Sequence, residues 1–157
     1  MSDLSGIEQM IADFQKLEND MDSFIEGFLL DMALRVLAKT KKRTPVGIYD
    51  KPVSFVTKDG KEVNFTPHTG KKGGRLRDNW RISEVTKTDE GLCVEIYNPL
   101  FYAEYVEVGH IYPSHENLKG WWEGYHMCEL SITEIQDQIP ARYEQAWRQF
   151  CRDHLLE

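Results

Sequence analysis

The sequence predicts an α+β fold, in which a small, mostly antiparallel sheet is packed by helices. Helical periodicity dominates both ends of the chain, and short alternating runs bounded by turn signals lie between them. A chain of 157 residues is long enough to bury the core of one domain. We therefore expect a single domain over residues 1–157, built from a long N-terminal helix, a short middle helix, a C-terminal helix and a projecting β-hairpin.

The N-terminal helix is predicted to run from residue 7 to about residue 43. Its apolar residues recur in alternating steps of three and four, the spacing of a coiled-coil seam: Ile7, Met10, Phe14, Leu17, Met21, Phe24 and Phe28. Ser5 is the expected N-cap, and Thr44-Pro45 is the expected stop. At 1.5 Å per residue this helix would be about 50 Å long, which exceeds the core of such a domain. We expect either a break near Gly27 or an extension over residues 1–24 that contacts a partner.

Two hairpins are predicted in the middle of the chain. Residues 53–65 alternate on either side of Asp59-Gly60, a dipeptide that accepts the positive φ angles of a tight turn. This hairpin is lightly apolar and flanked by lysines, so we interpret it as a projecting arm within an insertion over residues 47–68. Residues 80–97 form a second antiparallel pair with one buried face, and the alternation slips at Val85, which allows a β-bulge there.

A short helix and a loop are predicted next. Asn98-Pro99 begins a helix over residues 100–108, and Gly109 ends it. Residues 111–124 are aromatic and irregular, so we expect a loop there. Residues 125–130 are either a short strand or the approach to the last helix.

The last helix is predicted to begin at Ser131 and to end near residue 155. Ser131 and Glu134 have the spacing of a capping box. Pro140 lies inside the helix, so the helix should kink or split there. Its apolar stripe consists of Ile132, Ile135, Ile139, Tyr143, Trp147, Phe150 and Cys151.

The composition excludes several classes of protein. With 41% hydrophobic and 29% charged residues, the chain is typical of globular proteins, and it has no apolar run long enough to span a membrane. The acidic N-terminus lacks the basic start and apolar middle of a signal peptide. Cys93, Cys128 and Cys151 are odd in number and scattered, which favours a reduced intracellular protein over a disulfide framework.

The net charge of −7 is divided unevenly along the sequence. Residues 1–34 carry one base and eight acids, residues 35–87 carry 14 bases and five acids, and residues 88–157 carry four bases and 13 acids. The segment charges are therefore −7, +9 and −9. This pattern fits either ordinary solvated faces or a subunit whose opposite faces meet different neighbours.

Two groups of residues, one of histidines with a cysteine and one of glutamates, are of the types found in enzyme active sites. Neither group has the spacing that such a site requires. His110, His115, His126 and Cys128 have spacings that match no zinc template, and His110 is better placed to cap the short helix. Glu104 and Glu107 lie side by side on one helical turn, whereas glycosidase carboxylates face each other across a cleft. Salt bridges to the basic loop are the better expectation for this pair. With no G-x-S-x-G elbow either, we expect no enzyme, no catalytic residue, no metal and no cofactor.

The basic loop over residues 67–79 combines three glycines with Lys71, Lys72, Arg75 and Arg77. Such a loop could cradle phosphate, but the glycines do not fit the G-x-x-x-x-G-K-[ST] pattern. Either a flexible basic loop or a surface with non-specific contacts to DNA phosphates fits the composition.

The order of several motifs resembles a known family. R-T-P-V at residues 43–46 is followed by T-G at 69–70 and G-R-L-R-D-N-W at 74–80, and N-P-L-F-Y-A-E-Y-V-E-V-G-H follows at 98–110. G-Y-H-M at 124–127 precedes the final helix with its I-P break. From about residue 25 onward, this order is similar to the minor tail component, or tail-completion, family of long-tailed bacteriophages and prophages. There T-P-V-D-T-G-x-L-R-x-S-W precedes a strand hairpin and Y-A-x-Y-V-E-x-G-H.

The resemblance assigns structural roles to the residues that match these motifs: Thr44, Pro45, Thr69, Gly70, Leu76, Arg77, Trp80, Tyr102, Ala103, Tyr105, Val106, Glu107, Gly109 and His110. The chain departs from the family pattern in two places. Residues 47–68 open the link between T-P-V and T-G, and Lys71-Lys72-Gly73 separates T-G from G-R-L-R. These insertions affect the expected interfaces more than the family assignment.

The resemblance implies a structural virion protein in the tail or neck, assembled in the host cytoplasm. Such a protein forms a ring, commonly a hexamer, that caps the head-proximal end of the tail and joins it to the capsid connector. Its expected partners are further copies of itself, a tail tube or tail terminator protein and a head connector or stopper protein, with non-specific contact to passing DNA and none to a membrane. The expected inter-subunit or lumen contacts are Lys71, Lys72, Arg75, Arg77, Glu104 and Glu107.

A nucleic-acid-binding module that uses the basic middle segment is the alternative. Salt-dependent DNA binding by the isolated monomer would favour it. The acidic pI of about 5.3 and the lack of a recognition-helix pattern argue against it. A small hydrolase or metal enzyme is a third hypothesis, which a stoichiometric bound metal would favour.

Overall fold

A computed structural model describes residues 4–113 and 119–154. The helices are α1 (Leu4–Arg43), α2 (Arg75–Asp78), α3 (Ala103–Val108), α4 (Met127–Gln136) and α5 (Ile139–Asp153). The strands are β1 (Val53–Val56), β2 (Glu62–Phe65), β3 (Arg81–Ile82), β4 (Thr86–Thr88), β5 (Gly91–Cys93), β6 (Ile96–Tyr97), β7 (Gly109–Pro113) and β8 (Lys119–Glu123). The predicted α+β class is confirmed. No helix in the described ranges is both long enough and apolar enough to cross a membrane.

Helix α1 is one unbroken helix of 40 residues, about 60 Å long at the usual rise. It passes through Gly27 without interruption, so the first of the two expected alternatives, a break near Gly27, is wrong. It begins at Leu4, one residue before the proposed N-cap Ser5, and ends at Arg43, directly before Thr44-Pro45 as predicted. Residues 6–16 are all exposed. The N-terminal part of α1 therefore extends beyond the packed body of the subunit.

The Gly27→Ala variant is expected to be more stable than the wild type by about 0.5–1 kcal/mol, because alanine loses less conformational entropy than glycine in a helix. A Cβ atom at Gly27 would meet nothing within 4 Å. Urea denaturation followed by circular dichroism measures the change. A loss of stability would show that α1 bends or packs at this position.

The strands form four separate two-stranded antiparallel ladders, not one sheet: β1–β2, β3–β6, β4–β5 and β7–β8. The first is the predicted hairpin, with Val53 opposite Phe65 and Gly60 at φ 76° in the turn. The predicted pair over residues 80–97 is divided into two ladders near the slip at Val85. Between them the Ser83 amide donates to the Glu95 carbonyl, and the Ser83 hydroxyl accepts from the Glu95 amide, both at 2.9 Å.

The predicted loop over residues 111–124 is wrong for residues 111–113 and 119–123, which pair as parts of β7 and β8, while residues 114–118 lie outside the described residues. His110 lies opposite Trp122 and Ile111 opposite Trp121. Aromatic and β-branched residues favour strands, and cross-strand pairs of this kind stabilise a ladder. The aromatic residues of this segment were interpreted as part of a loop, although they could form a strand that pairs with the segment after Gly109.

The predicted starts of the later helices also need correction. Helix α3 begins at Ala103, not at residue 100. Residues 98–100 are irregular and residues 101–102 form a turn, and the Leu100 amide donates to the Asn98 side chain at 3.2 Å. Ser131 does not cap the last helix: it is buried inside α4 and donates to the Met127 carbonyl at 2.6 Å. The predicted split near Pro140 is confirmed, with Pro140 in the first turn of α5.

Two buried clusters hold these elements together. The first contains Leu76, Trp80, Ala103 and Met127, and the second contains Met32, Val36 and Ile135. Ile96 packs against both clusters and so joins them. On α1, Phe24 lies 5.0 Å from Phe150 of α5 between ring centroids, and Phe28 lies 5.3 Å from Tyr143. Helix α5 therefore packs on the middle of α1, beyond the exposed N-terminal segment.

Candidate functional site

The first family motif converges at the C-terminal end of α1. Thr44 is buried, and its hydroxyl donates to the Thr40 carbonyl at 2.7 Å. The same hydroxyl accepts from the Trp80 indole N–H at 2.9 Å. Both polar groups are thus satisfied in a buried position, where an unpaired group costs about 1–3 kcal/mol. Thr44 and Trp80 fasten the segment after α2 to the end of α1.

Arg77 of α2 also binds the end of α1. Its guanidinium donates to the Thr44 carbonyl at 2.8 Å through Nη2 and at 3.3 Å through Nε. The adjacent Leu76 is buried in the core, and its carbonyl accepts from the Asn98 side chain at 2.8 Å. Arg77 therefore closes the end of a helix, where cations are favoured.

The second motif joins α3 to α4 by a reciprocal cap, made by Glu107 on one side and the backbone of residues 125–126 on the other. The Glu107 carboxylate accepts from the amides of Cys128 at 2.9 Å and Glu129 at 3.1 Å, at the start of α4. In return, the amides of Tyr125 and His126 donate to the carbonyls of Val106 and Glu107 at 2.8 and 2.9 Å. Each helix end, which would otherwise carry unsatisfied backbone groups, is thereby satisfied by the other.

Two glycines allow the backbones to meet at this cap. A Cβ atom at Gly124 would lie 2.1 Å from the Glu107 carbonyl oxygen. Gly109 ends α3 with φ 105°, and a Cβ atom there would lie 2.5 Å from the Trp122 carbonyl oxygen. Side chains at these positions would force the segments apart.

The Glu107→Ala variant is expected to lose about 1 kcal/mol of stability, because two amides at the start of α4 lose their acceptor and a favourable charge at the helix N-terminus disappears. Glu107→Gln keeps one oxygen acceptor and should lose less. Glu104→Ala is the matched control, since Glu104 is exposed on the same helix and should change stability by no more than about 0.5 kcal/mol. Equal losses for Glu104→Ala and Glu107→Ala in urea denaturation would contradict the capping role.

The structure does not bring the two glutamates to the basic loop as expected. Glu107 is committed to α4, Glu104 is exposed, and neither forms an ion pair with Lys71, Lys72 or Arg75 among the described side chains. The physical reason is that the N-terminus of α4 lies directly beside the last turn of α3.

Three members of the predicted histidine and cysteine cluster, His110, His126 and Cys128, lie within the described residues. His110 lies in β7, with Nδ1 3.4 Å from the Tyr105 carbonyl, so it contacts the last turn of α3. His115 lies outside the described residues. No group of three His, Cys, Asp or Glu side chains with the geometry of a metal site occurs in residues 4–113 and 119–154.

His126 and Cys128 have perturbed pKa values. The pKa of His126 is raised, mainly by its hydrogen bond with Glu129 at 2.7 Å between Nδ1 and Oε2, and further by Glu123. Burial raises the pKa of the Cys128 thiol, and the charge of Glu107 adds to this effect. A raised thiol pKa lowers the thiolate fraction of Cys128.

An ion cluster that the sequence did not predict fastens α1 to α4. Glu134 of α4 forms ion pairs with Lys39 and Arg43 of α1, and Arg43 also donates to the Ser131 hydroxyl at 2.8 Å. Hydrogen bonds from Lys39 and Arg43 lower the pKa of Glu134 from 4.5 to about 2. The partners lie about 90 positions apart in the sequence, so no local pattern could have revealed the cluster.

Stability should therefore fall in acid through Glu134. Because its folded-state pKa is depressed, the contribution is complete above pH 4.5 and is lost as the pH falls toward about 2. Urea denaturation of the wild type and Glu134→Gln at several pH values measures this. The stability difference between them should shrink steadily below pH 4.5. A difference that stays constant over that interval would contradict the role of the cluster.

The basic loop and the inserted hairpin leave the body at one point. A Cβ atom at Gly73 would lie 2.0 Å from the Gly47 carbonyl oxygen, so the start of the 47–68 insertion touches the end of the Lys71-Lys72-Gly73 insertion. Asp50 and Thr69 tie its base together, since the Thr69 amide donates to the Asp50 carboxylate at 3.2 Å. Lys71, Lys72 and Arg75 are exposed. Next to them lies a cleft of about 380 Å³, lined in part by Tyr49, Lys72, Arg75, Tyr102 and Tyr125.

These features define a class of protein: a small α+β subunit with a helical extension, an inserted arm and several exposed apolar side chains, as is typical of proteins that assemble. A family model matches residues 8–109, and its description reads "Bacteriophage HK97-gp10, putative tail-component". The chain belongs to this HK97-gp10-like family of phage tail components. No match was found among curated proteins or solved structures.

Proposed function

We propose that this tail component is a subunit of the tail-completion ring, which caps the head-proximal end of the tail and joins it to the capsid connector. The observation that carries the proposal is the family match over residues 8–109. It includes the first motif junction and the Glu107 side of the second, and it extends from residue 8 of α1 to the end of α3. The residues of these junctions hold the subunit together, so partner contacts must come from the surfaces around them.

The exposed features supply such surfaces. The α1 extension leaves the subunit at one place, and the hairpin with the basic loop leaves it at another. A ring closes by heterologous contacts between different faces of one chain. We assign inter-subunit or lumen contacts to Lys71, Lys72 and Arg75, which are exposed, and to Glu104. Arg77 and Glu107 are assigned to the internal junctions described above.

Deletion of the gene from its phage tests the proposal. Electron microscopy of the lysate should show filled heads and separate tails, because joining fails while each part still assembles. Plasmid-borne wild-type protein should restore joined particles. Joined, infectious particles in the deletion strain would overturn the proposal.

The basic loop can be tested in the same complementation experiment. Lys71→Glu, Lys72→Glu and Arg75→Glu combined should reduce the yield of joined particles strongly. Lys87→Glu with Arg148→Glu is the control for lost positive charge, since both residues are exposed outside the loop. Unchanged assembly with the loop variant would remove the loop from the interface and leave the tail-completion role standing.

Nucleic-acid binding through the same exposed loop is the second candidate. Fluorescence anisotropy with labelled duplex DNA at about 50 and 200 mM salt distinguishes it, because binding through several phosphates weakens steeply with salt. Salt-dependent binding by the isolated subunit that disappears in the loop variant would favour this candidate.

A further inference from the structure

The inserted hairpin has an uncovered apolar face. Val53 lies opposite Phe65 and Phe55 opposite Val63, so these four side chains share one face, while Ser54, Val56, Glu62 and Asn64 share the other. The exposed fractions of Val53, Phe55 and Phe65 are 39%, 49% and 50%. An isolated two-stranded hairpin is marginally stable in water unless its apolar face is packed. The face therefore lacks a partner within the described part of the subunit.

The α1 extension has an uncovered apolar stripe of the matching kind. Ile7, Met10, Ile11 and Phe14 follow the i, i+3, i+4, i+7 spacing of one helix face, and each is at least 50% exposed. A stripe of one residue row along a helix can be buried against a narrow apolar surface such as one face of a two-stranded hairpin.

The charges of the two segments are complementary. Residues 4–24 carry one base and five acids, which gives −4. Residues 47–75, the hairpin with the part of the basic loop before Arg77, carry six bases and three acids, which gives +3. Opposite charge around an apolar contact sets register and excludes wrong partners.

The two surfaces do not cover each other within one subunit. Phe14 and Arg43 are separated by about 44 Å along α1, and the hairpin follows the C-terminal end of that helix. Both surfaces are exposed in the same molecule, at opposite ends of its longest element. Contacts between different faces of identical chains generate rings when the rotation closes.

We propose that the apolar stripe of α1 in one copy packs on the apolar face of the β1–β2 hairpin in the next copy. The occupant of the hairpin face is therefore a second copy of this chain. This inference rests on the proposed ring and names the contact that closes it.

Complementary variants test the pairing by light scattering of the full chain. The helix variant is Met10→Glu with Phe14→Glu, and the hairpin variant is Phe55→Thr with Phe65→Thr. Each should stay near 18.3 kDa at concentrations where the wild type assembles, because its self-association weakens about tenfold or more. An equimolar mixture should form a two-chain species, since it retains one intact helix–hairpin contact. Circular dichroism verifies that both variants are folded.

Val56→Thr is the matched control, because Val56 is 66% exposed on the opposite face of the same hairpin. It should assemble like the wild type. Three results would each overturn the pairing. The mixture of the two variants could stay monomeric, the hairpin variant could assemble like the wild type, or the wild type could stay monomeric at every concentration. If the pairing fails while the gene deletion still separates heads from tails, the tail-completion role stands without it. If the deletion leaves joined particles while the mixture forms dimers, the contact stands without that role.

Discussion

Replacing Gly124 with alanine should destabilise the subunit by about 3 kcal/mol or more, although the change adds only a single methyl group. A Cβ atom there would lie 2.1 Å from the carbonyl oxygen of Glu107 and 2.4 Å from the carbonyl carbon of Val108. Both atoms belong to the backbone, so no side chain can move aside to relieve the overlap. The segments must separate, and the bonds from Tyr125 and His126 to α3 then lengthen or break.

Urea denaturation measures this loss, and Gly27→Ala is the matched control. The two variants make the same chemical change, but the control site is open and helical, so its expected effect has the opposite sign. Amide exchange should also show faster opening of the first turn of α4 in Gly124→Ala. A Gly124→Ala protein as stable as the wild type would mean that α3 and α4 are not held together by this close approach.

The sequence predicted best where the signals are local. The stop at Thr44-Pro45, the turn at Gly60 and the split near Pro140 depend on the backbone preferences of a few adjacent residues. The long apolar seam predicted α1, although it could not decide between a break at Gly27 and a continuous extension.

Local signals also misled the prediction. Ser131 and Glu134 have the spacing of a capping box, yet Ser131 lies in the middle of α4 and Glu134 pairs with α1. The true cap of α4 is Glu107, 21 positions away from Cys128 in the sequence. A carboxylate that caps a helix from another element leaves no local pattern, so only the tertiary structure identifies it.

The sequence identified the residues of the first motif, but the structure gives them a different role from the expected contacts with partners. The motif residues Thr44, Leu76, Arg77 and Trp80 do come together, but as an internal junction that orients α2 on the end of α1. Glu107 was expected to meet basic residues and instead joins two helices. The surfaces that stay exposed outside that junction are the hairpin face, the α1 extension and the Lys71, Lys72 and Arg75 side chains of the basic loop.

The Trp80→Ala variant is expected to lose about 3–5 kcal/mol of stability. Trp80 is 6% exposed and packs with Leu76, Ala103 and Met127, so removing the indole leaves a cavity in the first core cluster. It also removes the donor to the Thr44 hydroxyl. Thr44 would still donate to the Thr40 carbonyl, so the cavity should account for most of the loss.

Two further variants separate the hydrogen bond from the packing. Trp80→Phe keeps an aromatic ring in the core without the N–H. Thr44→Val keeps the volume of the side chain without the hydroxyl. The Thr44→Val change leaves the indole N–H of Trp80 buried and unpaired, at a cost of about 1–3 kcal/mol. In a double-mutant cycle, the loss for both changes together should be smaller than the sum of the single losses by about 0.5 kcal/mol or more, since they remove the same bond. Additive losses would show that Thr44 and Trp80 act independently, and the junction between α1 and the segment after α2 would then depend on Arg77 and on apolar packing.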